Sequence, residues 1–450
     1  MPRPDRVGEG VDVRRRAVVV GSGAGGATVA RELQGAFDVT VVEAGREFQR
    51  ATLERSSIER LRRSRLLVDP GLVRFVYPPI RFRRTPDMLL VNGIGTGGTT
   101  TMATGNGIRA DGDLRALGID LDLEFDEIAR EIPITTAHQR RWHPTTRRLF
   151  RTVGDLGLNP VVLPKMGDAE RCRHCGRCML GCPYGRKWDS RAYLDEAVRG
   201  GARLMTGSAV TDVVIDGGQA TGVVARTRAL HRFIPADLVV LAAGGFGTPA
   251  ILERSGIRCE PTLFVDPVLT AAARVPNAWQ CNEIEMPFVA QREGYILAPY
   301  FDWISSLFHP SWRHRLQDIV GIMIKLADES VGSVSGRKVH KLLTPADRSR
   351  LDEAVGVATE ILSEFGADPH EVFLGTVHAG HPGGMLPLTE ASARTMHDDR
   401  LPENVYVADA TLFPKSLGNP PILTIIAMAK RIAAICAGES APSHLSASQS

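Results

Sequence analysis

The chain has no run of about 18 apolar residues, the length a membrane-crossing helix needs, so no transmembrane helix is expected. It has little charge of either sign in excess. Fifty-four Lys and Arg against 51 Asp and Glu leave a net charge of +3, too small to argue for nucleic acid. No internal repeat is visible. Cysteine is sparse, with seven in 450 residues, and the seven are not scattered as a disulfide framework would be. Four crowd into Cys172 to Cys182. With no signal peptide evident, that crowding points to metal or redox chemistry and to a cytoplasmic setting.

What is present is a hydrophobic content of 43%, which suits a globular protein with a real core. The length calls for two structural units. Arg14-Arg15-Arg16 before Ala17 to Val20 imitates an export signal. The apolar run breaks at once into Gly21-Ser22-Gly23, so it reads better as a buried strand. Between residues 50 and 84, ten arginines stand against Glu54, Glu59 and Asp69. A solvated helix and loop is the plain account, and contact with a membrane surface or an acidic partner is the other.

Residues 1–13 and 438–450 are polar and aperiodic and are expected to be disordered tails. Val18 to Val20 and Val39 to Val42 read as buried strands flanking a helix from about Gly25 to Leu33. Leu238 to Ala242 is another strand. Leu204 to Val214 and Ala220 to Thr227 read as an antiparallel pair joined through Gly217-Gly218. Pro345 to Phe365 and Ile422 to Ile435 carry helical patterns, and Lys187 to Val198 reads as a strand and helix.

Gly21-Ser22-Gly23-Ala24-Gly25-Gly26 fits G-x-G-x-x-G, with Gly21, Gly23 and Gly26 in the three roles. They permit a tight turn, close backbone approach to a pyrophosphate, and close helix–strand packing, with the helix N-terminus facing the phosphates. Glu43 ends the next strand, 20 positions after Gly23, where an acid accepting from ribose hydroxyls should sit. The motif alone does not separate flavin from nicotinamide.

Three further segments carry a resemblance. The first is Asn92-Gly93-Ile94-Gly95-Thr96-Gly97-Gly98-Thr99-Thr100-Thr101 with Gly105-Asn106-Gly107. The second is Val239 to Pro249 through Gly244-Gly245-Phe246-Gly247, ending at Ser255-Gly256. The third is Val405 to Ala410, then Pro414, Gly418-Asn419-Pro420 and Thr424-Ile425. In this order they resemble the signatures of glucose-methanol-choline (GMC) flavoproteins. The resemblance spans residues 17 to 436 and is weakest in the substrate domain. It implies an α/β fold: a Rossmann-type FAD-binding domain with an α+β substrate-binding domain on an antiparallel sheet. The FAD domain would take residues 17–115, 184–258 and 400–436. The substrate domain would take 116–183, with the cysteine-rich segment 172–182, and 259–399. Gly97, Gly98, Thr99, Asn106, Val210, Gly244, Asp409 and Ala410 would join Gly21, Gly23, Gly26 and Glu43 around FAD. Asp409 would bond the ribityl chain or a backbone amide, or simply cap a strand end. Many members attach FAD through a histidine in the glycine-rich loop. Met102, Ala103 and Thr104 offer none, so non-covalent FAD is expected.

Alcohol oxidation needs a base for the hydroxyl proton, while the flavin takes the hydride. His381-Pro382-Gly383-Gly384 is similar to the family's catalytic histidine segment, and Asn419 follows 38 positions later. In the cholesterol-oxidase-like branch a histidine and an asparagine bracket the substrate oxygen. The resemblance carries these roles to His381 and Asn419. His378 has the weaker claim, and Glu283 or Glu285 is a further carboxylate outside any motif. Phe288, Tyr295, Tyr300, Phe301, Trp303, Phe308 and Trp312 would line an apolar pocket or lid, or simply pack a core.

Cys172-x2-Cys175-x2-Cys178-x3-Cys182-Pro183 has the bacterial ferredoxin spacing. A [4Fe-4S] cluster is the first expectation, with structural zinc and free or disulfide-bonded thiols as alternatives. In two-cluster ferredoxins the fourth cysteine ligates the other cluster. So either Cys182 folds back onto the same cluster, or Cys259, Cys281 or Cys436 completes the set. The expected activity is an FAD-dependent dehydrogenase of a small, apolar alcohol, with electrons leaving through the cluster to an acceptor protein or quinone. A reductase or isomerase of an unsaturated apolar substrate is the second reading, and a non-catalytic electron-transfer or scaffold subunit the third.

Overall fold

Val18, Val19 and Val20 are buried in the central strand of a five-stranded parallel sheet. Its order is Val405–Val407, Leu238–Leu241, Arg16–Val20, Asp38–Val42, Arg203–Met205. Unbroken apolar strands suit such a sheet because helices cover its faces. Ala24–Glu32 packs against Arg191–Arg199 and Ile422–Ala437. Close packing needs glycine here: a Cβ on Gly26 would overlap the Gly21 carbonyl, and one on Gly25 the Ala408 carbonyl. This computed structural model describes residues 14–49, 59, 60, 70, 71, 73, 77 and 79–438. The tails expected at 1–13 and 438–450, apart from Gly438, which caps the last helix, and most of the arginine-rich stretch lie outside the described residues. Within that stretch, Ile80–Arg84 is a strand.

Leu204 to Val214 is not one strand. Arg203–Met205 is the edge of the parallel sheet, and Ala209–Asp216 pairs with Gln219–Thr227 in a separate three-stranded antiparallel sheet. Gly207 (φ +65°) turns the chain between them. Its N–H bonds the Gly45 carbonyl at 2.7 Å and that of Ser208 bonds the Glu43 carbonyl at 2.9 Å. Pairing with the end of the Glu43 strand is stronger local instruction than continued β-periodicity. Of the strand and helix read at Lys187 to Val198, the helix Arg191–Arg199 is present, and the strand reduces to one bridge between Gly167 and Lys187.

The second unit is a nine-stranded, largely antiparallel sheet centred on Val268–Arg274, Ile319–Leu326 and Tyr295–Pro299. Strands Ile80–Arg84 and Leu89–Gly93, from the segment assigned above to the FAD domain, hydrogen-bond into it beside His378–Ala379. Helix Pro345–Glu364 covers one face, started by a capping box between Thr344 and Asp347. Side chains alternate along a strand. Val320, Ile322, Ile324 and Leu326 share the cluster of the helix, with its Leu351 and Ile361. Met323 instead joins Val268, Met286, Ala298 and Tyr300 on the opposite face. Lys325, two residues on from Met323, shares that face. Phe288 and Tyr295 are buried in the first of these clusters and Tyr300 in the second; Phe301, Trp303 and Trp312 are buried in a third with Leu316 and Ile319, and Phe308 packs edge-on to Phe82. Core packing therefore accounts for the aromatic residues.

Candidate active site

The glycine loops of the parallel sheet converge at its carboxyl end, and Glu43 ties them. This buried carboxylate accepts from Ser22 N at 3.1 Å, Ser22 Oγ at 2.7 Å, Gly45 N at 2.8 Å and Gly95 N at 3.1 Å. Joining these loops is a role its sequence position did not announce. Gly97 N donates to Ser22 Oγ at 3.3 Å, and the Thr99 hydroxyl accepts from Gly93 N at 3.1 Å. Gly98 and Gly23 approach so closely that a Cβ on Gly98 would lie 3.1 Å from the Gly23 Cα. Gly23 caps the helix Ala24–Glu32 without a side-chain bond, and a Cβ on it would meet nothing within 4 Å. Open space in front of a helix N-terminus is what a pyrophosphate requires. Gly244 is likewise open at the start of Gly244–Arg254.

Asp409 takes the backbone-amide role. Its Oδ2 accepts from Gly244 N at 2.8 Å and Thr248 Oγ1 at 2.6 Å, and its Oδ1 from Thr411 N at 2.9 Å. Burial pushes its pKa upward against those bonds. The Ala410 carbonyl accepts from Gly384 N at 3.0 Å, joining this loop to the histidine segment. Val210 is buried in the three-stranded sheet. Asn106 is buried, donates to Met286 Sδ at 3.1 Å and accepts from Lys165 Nζ.

His381 and Asn419 meet at one buried ion pair. Asp266 Oδ2 holds Lys325 Nζ and lies 3.4 Å from His381 Nδ1. Lys325 Nζ also donates to the Asn419 carbonyl at 3.2 Å, and Ser416 Oγ to Asp266 Oδ1. His381 keeps 27% side-chain exposure. Its pKa is lowered, first by burial and also by Lys325, with Asp266 opposing. That favours the neutral imidazole a base requires. Asn419 Oδ1 accepts from Gln291 at 2.9 Å, and its Nδ2 makes one 3.3 Å bond to the Leu417 carbonyl, leaving an amide proton over. Asp266, Lys325 and Ser416 were missed in the sequence. The one signal was a lysine inside the otherwise apolar Ile319–Leu326.

His378 is buried, with Nδ1 against the Thr376 carbonyl at 3.0 Å. Glu283 is a structural clamp, accepting from His143 N at 2.7 Å and Thr146 Oγ1 at 2.9 Å and holding His174. Glu285 accepts from Met179 N at 3.2 Å, and burial raises its pKa to about 8.

Cys172, Cys175, Cys178 and Cys182 line one cavity of about 40 Å³, with Lys165, Lys187, Arg186 and Tyr184 in its walls. All four are free thiols. Burial pushes Cys172 up to about 11 and Cys178 well above the ordinary thiol range. Backbone N–H groups point at the sulfurs: Arg186 and Lys187 to Cys182 at 3.3 and 3.4 Å, and His174 to Cys172 at 3.4 Å. Gly176 (φ +63°) turns this loop so close to Cys281 that a Cβ would overlap the Cys281 carbonyl. Among the described residues no group of three or more His, Cys, Asp or Glu is arranged to hold a metal ion, so the metal site expected at the four cysteines is not seen in their arrangement. Lys187 also reaches the flavin-type loop. Its Nζ donates to the carbonyls of Thr100, Thr101 and Ala103 at 3.0, 2.8 and 2.7 Å.

Residues 15–268 match the family model described as GMC oxidoreductase. The chain belongs to the GMC oxidoreductase family. It is accordingly an oxidoreductase of a flavoprotein family that typically binds FAD. The uncharacterized protein MJ1450 of Methanocaldococcus jannaschii is a relative, 26% identical over 92% of this chain and 97% of its own. The long-chain-alcohol oxidase FAO1 of Arabidopsis thaliana is 22% identical over 60% of this chain and 46% of its own. Among solved structures, pyridoxine 4-oxidase from Mesorbium loti has the same fold, with a TM-score of 0.67 at 17% identity over 93% of this chain and 98% of that one. The GMC fold, a Rossmann-like parallel sheet with an antiparallel partner, is the one expected. Among the described residues no helix is long and apolar enough to cross a membrane.

Proposed function

We propose that this GMC oxidoreductase oxidises the CH–OH group of an apolar alcohol, with His381 as the base and Asn419 as the hydrogen-bond donor to the substrate oxygen. The observation that carries the reading is the attachment of both residues to one buried Asp266–Lys325 pair. Asp266 near Nδ1 leaves His381 Nε2 to take the hydroxyl proton. Asn419 offers its spare amide proton to the developing alkoxide. The relative named as a long-chain-alcohol oxidase supports the same substrate class. Gly21, Gly23, Gly97 and Gly98 would hold the FAD pyrophosphate, and FAD supplies the hydride acceptor.

Cys172, Cys175, Cys178 and Cys182, which line one cavity, would hold an iron–sulfur cluster as the exit for electrons. Four thiols around one cavity, with backbone N–H groups aimed at Cys172 and Cys182, support that reading. The cluster would supply one-electron transfer. Anaerobic screening of alcohols for bleaching of the flavin band tests the catalytic part. His381→Ala should slow bleaching by the best substrate about 100-fold or more. Bleaching at the wild-type rate in that variant would end the assignment of His381.

A further inference from the structure

We propose that the rim over the cysteine cavity docks an acidic one-electron carrier protein; this rests on the cluster reading above and names its partner. The turn Ala137–Arg141 packs against Ala169–Arg171, where Arg141 Nη1 donates to the Glu170 carbonyl at 2.6 Å. That places Arg140 and Arg141 beside Arg171, whose side chain is 76% exposed. Arg173 is exposed and its guanidinium lies 4.8 Å from the ring centroid of Tyr184. Tyr184 is itself 39% exposed and lines the cysteine cavity. Arg186 lines it as well and pairs with Asp168 at 3.2 Å.

A run of charge is ordinarily only a solvated face. Here Arg173 and Arg186 line the cysteine cavity, and Arg171 and Arg141 flank Asp168 and Ala169 of its wall, with Asp168 and Glu170 as the counter-charges. Such a rim steers an acidic surface and repels a basic one. A quinone is the occupant the test must separate from a carrier, because a second cavity of about 570 Å³ shares Asp168, Arg186 and Lys187 with this one. The stoichiometry also suits a carrier. Oxidation of one CH–OH to C=O releases two electrons and two protons. Two oxidised carriers take one electron each. One proton leaves through His381, and the other returns to water as the cofactor is reoxidised.

The test uses anaerobically prepared holoprotein, reduced with dithionite, desalted, and mixed with one of three oxidants in a stopped-flow spectrometer. These are succinylated (acidic) cytochrome c, unmodified (basic) cytochrome c and a soluble short-chain quinone. The acidic cytochrome should oxidise the protein about tenfold faster than the basic one at low ionic strength, and salt should close the gap. Arg140→Glu with Arg171→Glu should slow the acidic cytochrome about tenfold and leave the quinone rate unchanged. Equal rates for the two cytochromes, or indifference to the charge reversal, would overturn the docking face. Iron-bearing protein without discrimination overturns the face alone. Iron-free protein that still discriminates overturns the cluster reading instead.

Discussion

Asp266 Oδ2 lies 3.4 Å from His381 Nδ1 while holding Lys325 Nζ, so one buried carboxylate serves an imidazole and an ammonium together. The arrangement makes Asp266 a positioning residue for the proposed base, and it has consequences for pH dependence.

His381 must be neutral to accept a proton, and its pKa is lowered from the ordinary value. Flavin reduction should therefore rise with pH along a limb lying below the usual imidazole value of about 6.5. Asp266 acts to raise that pKa, so Asp266→Asn should move the limb further down. It should also slow the plateau about tenfold through lost orientation. Asp266→Glu should restore part of both. A limb that stays in place with an unchanged plateau would remove Asp266 from the machinery.

Lys325→Met would leave a buried carboxylate without its cation, at a cost of about 3–5 kcal/mol. Adding Asp266→Asn should recover most of it, measured by urea unfolding of the FAD-loaded protein. The Asp266 pKa is lowered by Lys325 and His381 in spite of burial. Its contribution to stability is therefore present above the unfolded carboxylate value of about 4 and lost as pH falls through the folded one. The double variant should lack this acid-side slope. If the single variant proves as stable as wild type, the pair does not hold the site.

Acid precipitation of purified protein should release the yellow chromophore into the supernatant. Met102, Ala103 and Thr104 provide no nucleophilic ring to bond it, and Met102 is buried. A pellet that stays yellow would mean a covalent link.

Protein made and kept without oxygen should contain iron and acid-labile sulfide, with a brown absorbance that dithionite bleaches. Cys175→Ser should lose the iron and the delivery of electrons to an acceptor. Preparations containing zinc, or no metal, would return the protein to the ordinary oxidase class.

The nucleotide-binding half was legible because its signals are local. A strand, a glycine turn and a helix are adjacent in the chain, and Gly21 to Gly26 carry the reasons for their own spacing. The site half was less so. Asp266 and Lys325 are 59 residues apart and meet only through the pairing of Val268–Arg274 with Ile319–Leu326. Family resemblance could nominate His381 and Asn419 but not the pair that holds them. Glu43 shows what position alone leaves out: its four hydrogen bonds inside the protein belong to loops 22, 45 and 95, which no local pattern joins. The break at Gly207 was hidden because an edge strand and the strand that follows both look extended.

Lys187 touches two places at once. Its backbone N–H points at Cys182 Sγ, and its side chain gathers three carbonyls of the loop that follows Gly97 and Gly98. One residue thus makes the two loops share a scaffold. Lys187→Met would therefore take one donor from three carbonyls of the glycine loop while leaving the backbone N–H at Cys182 in place.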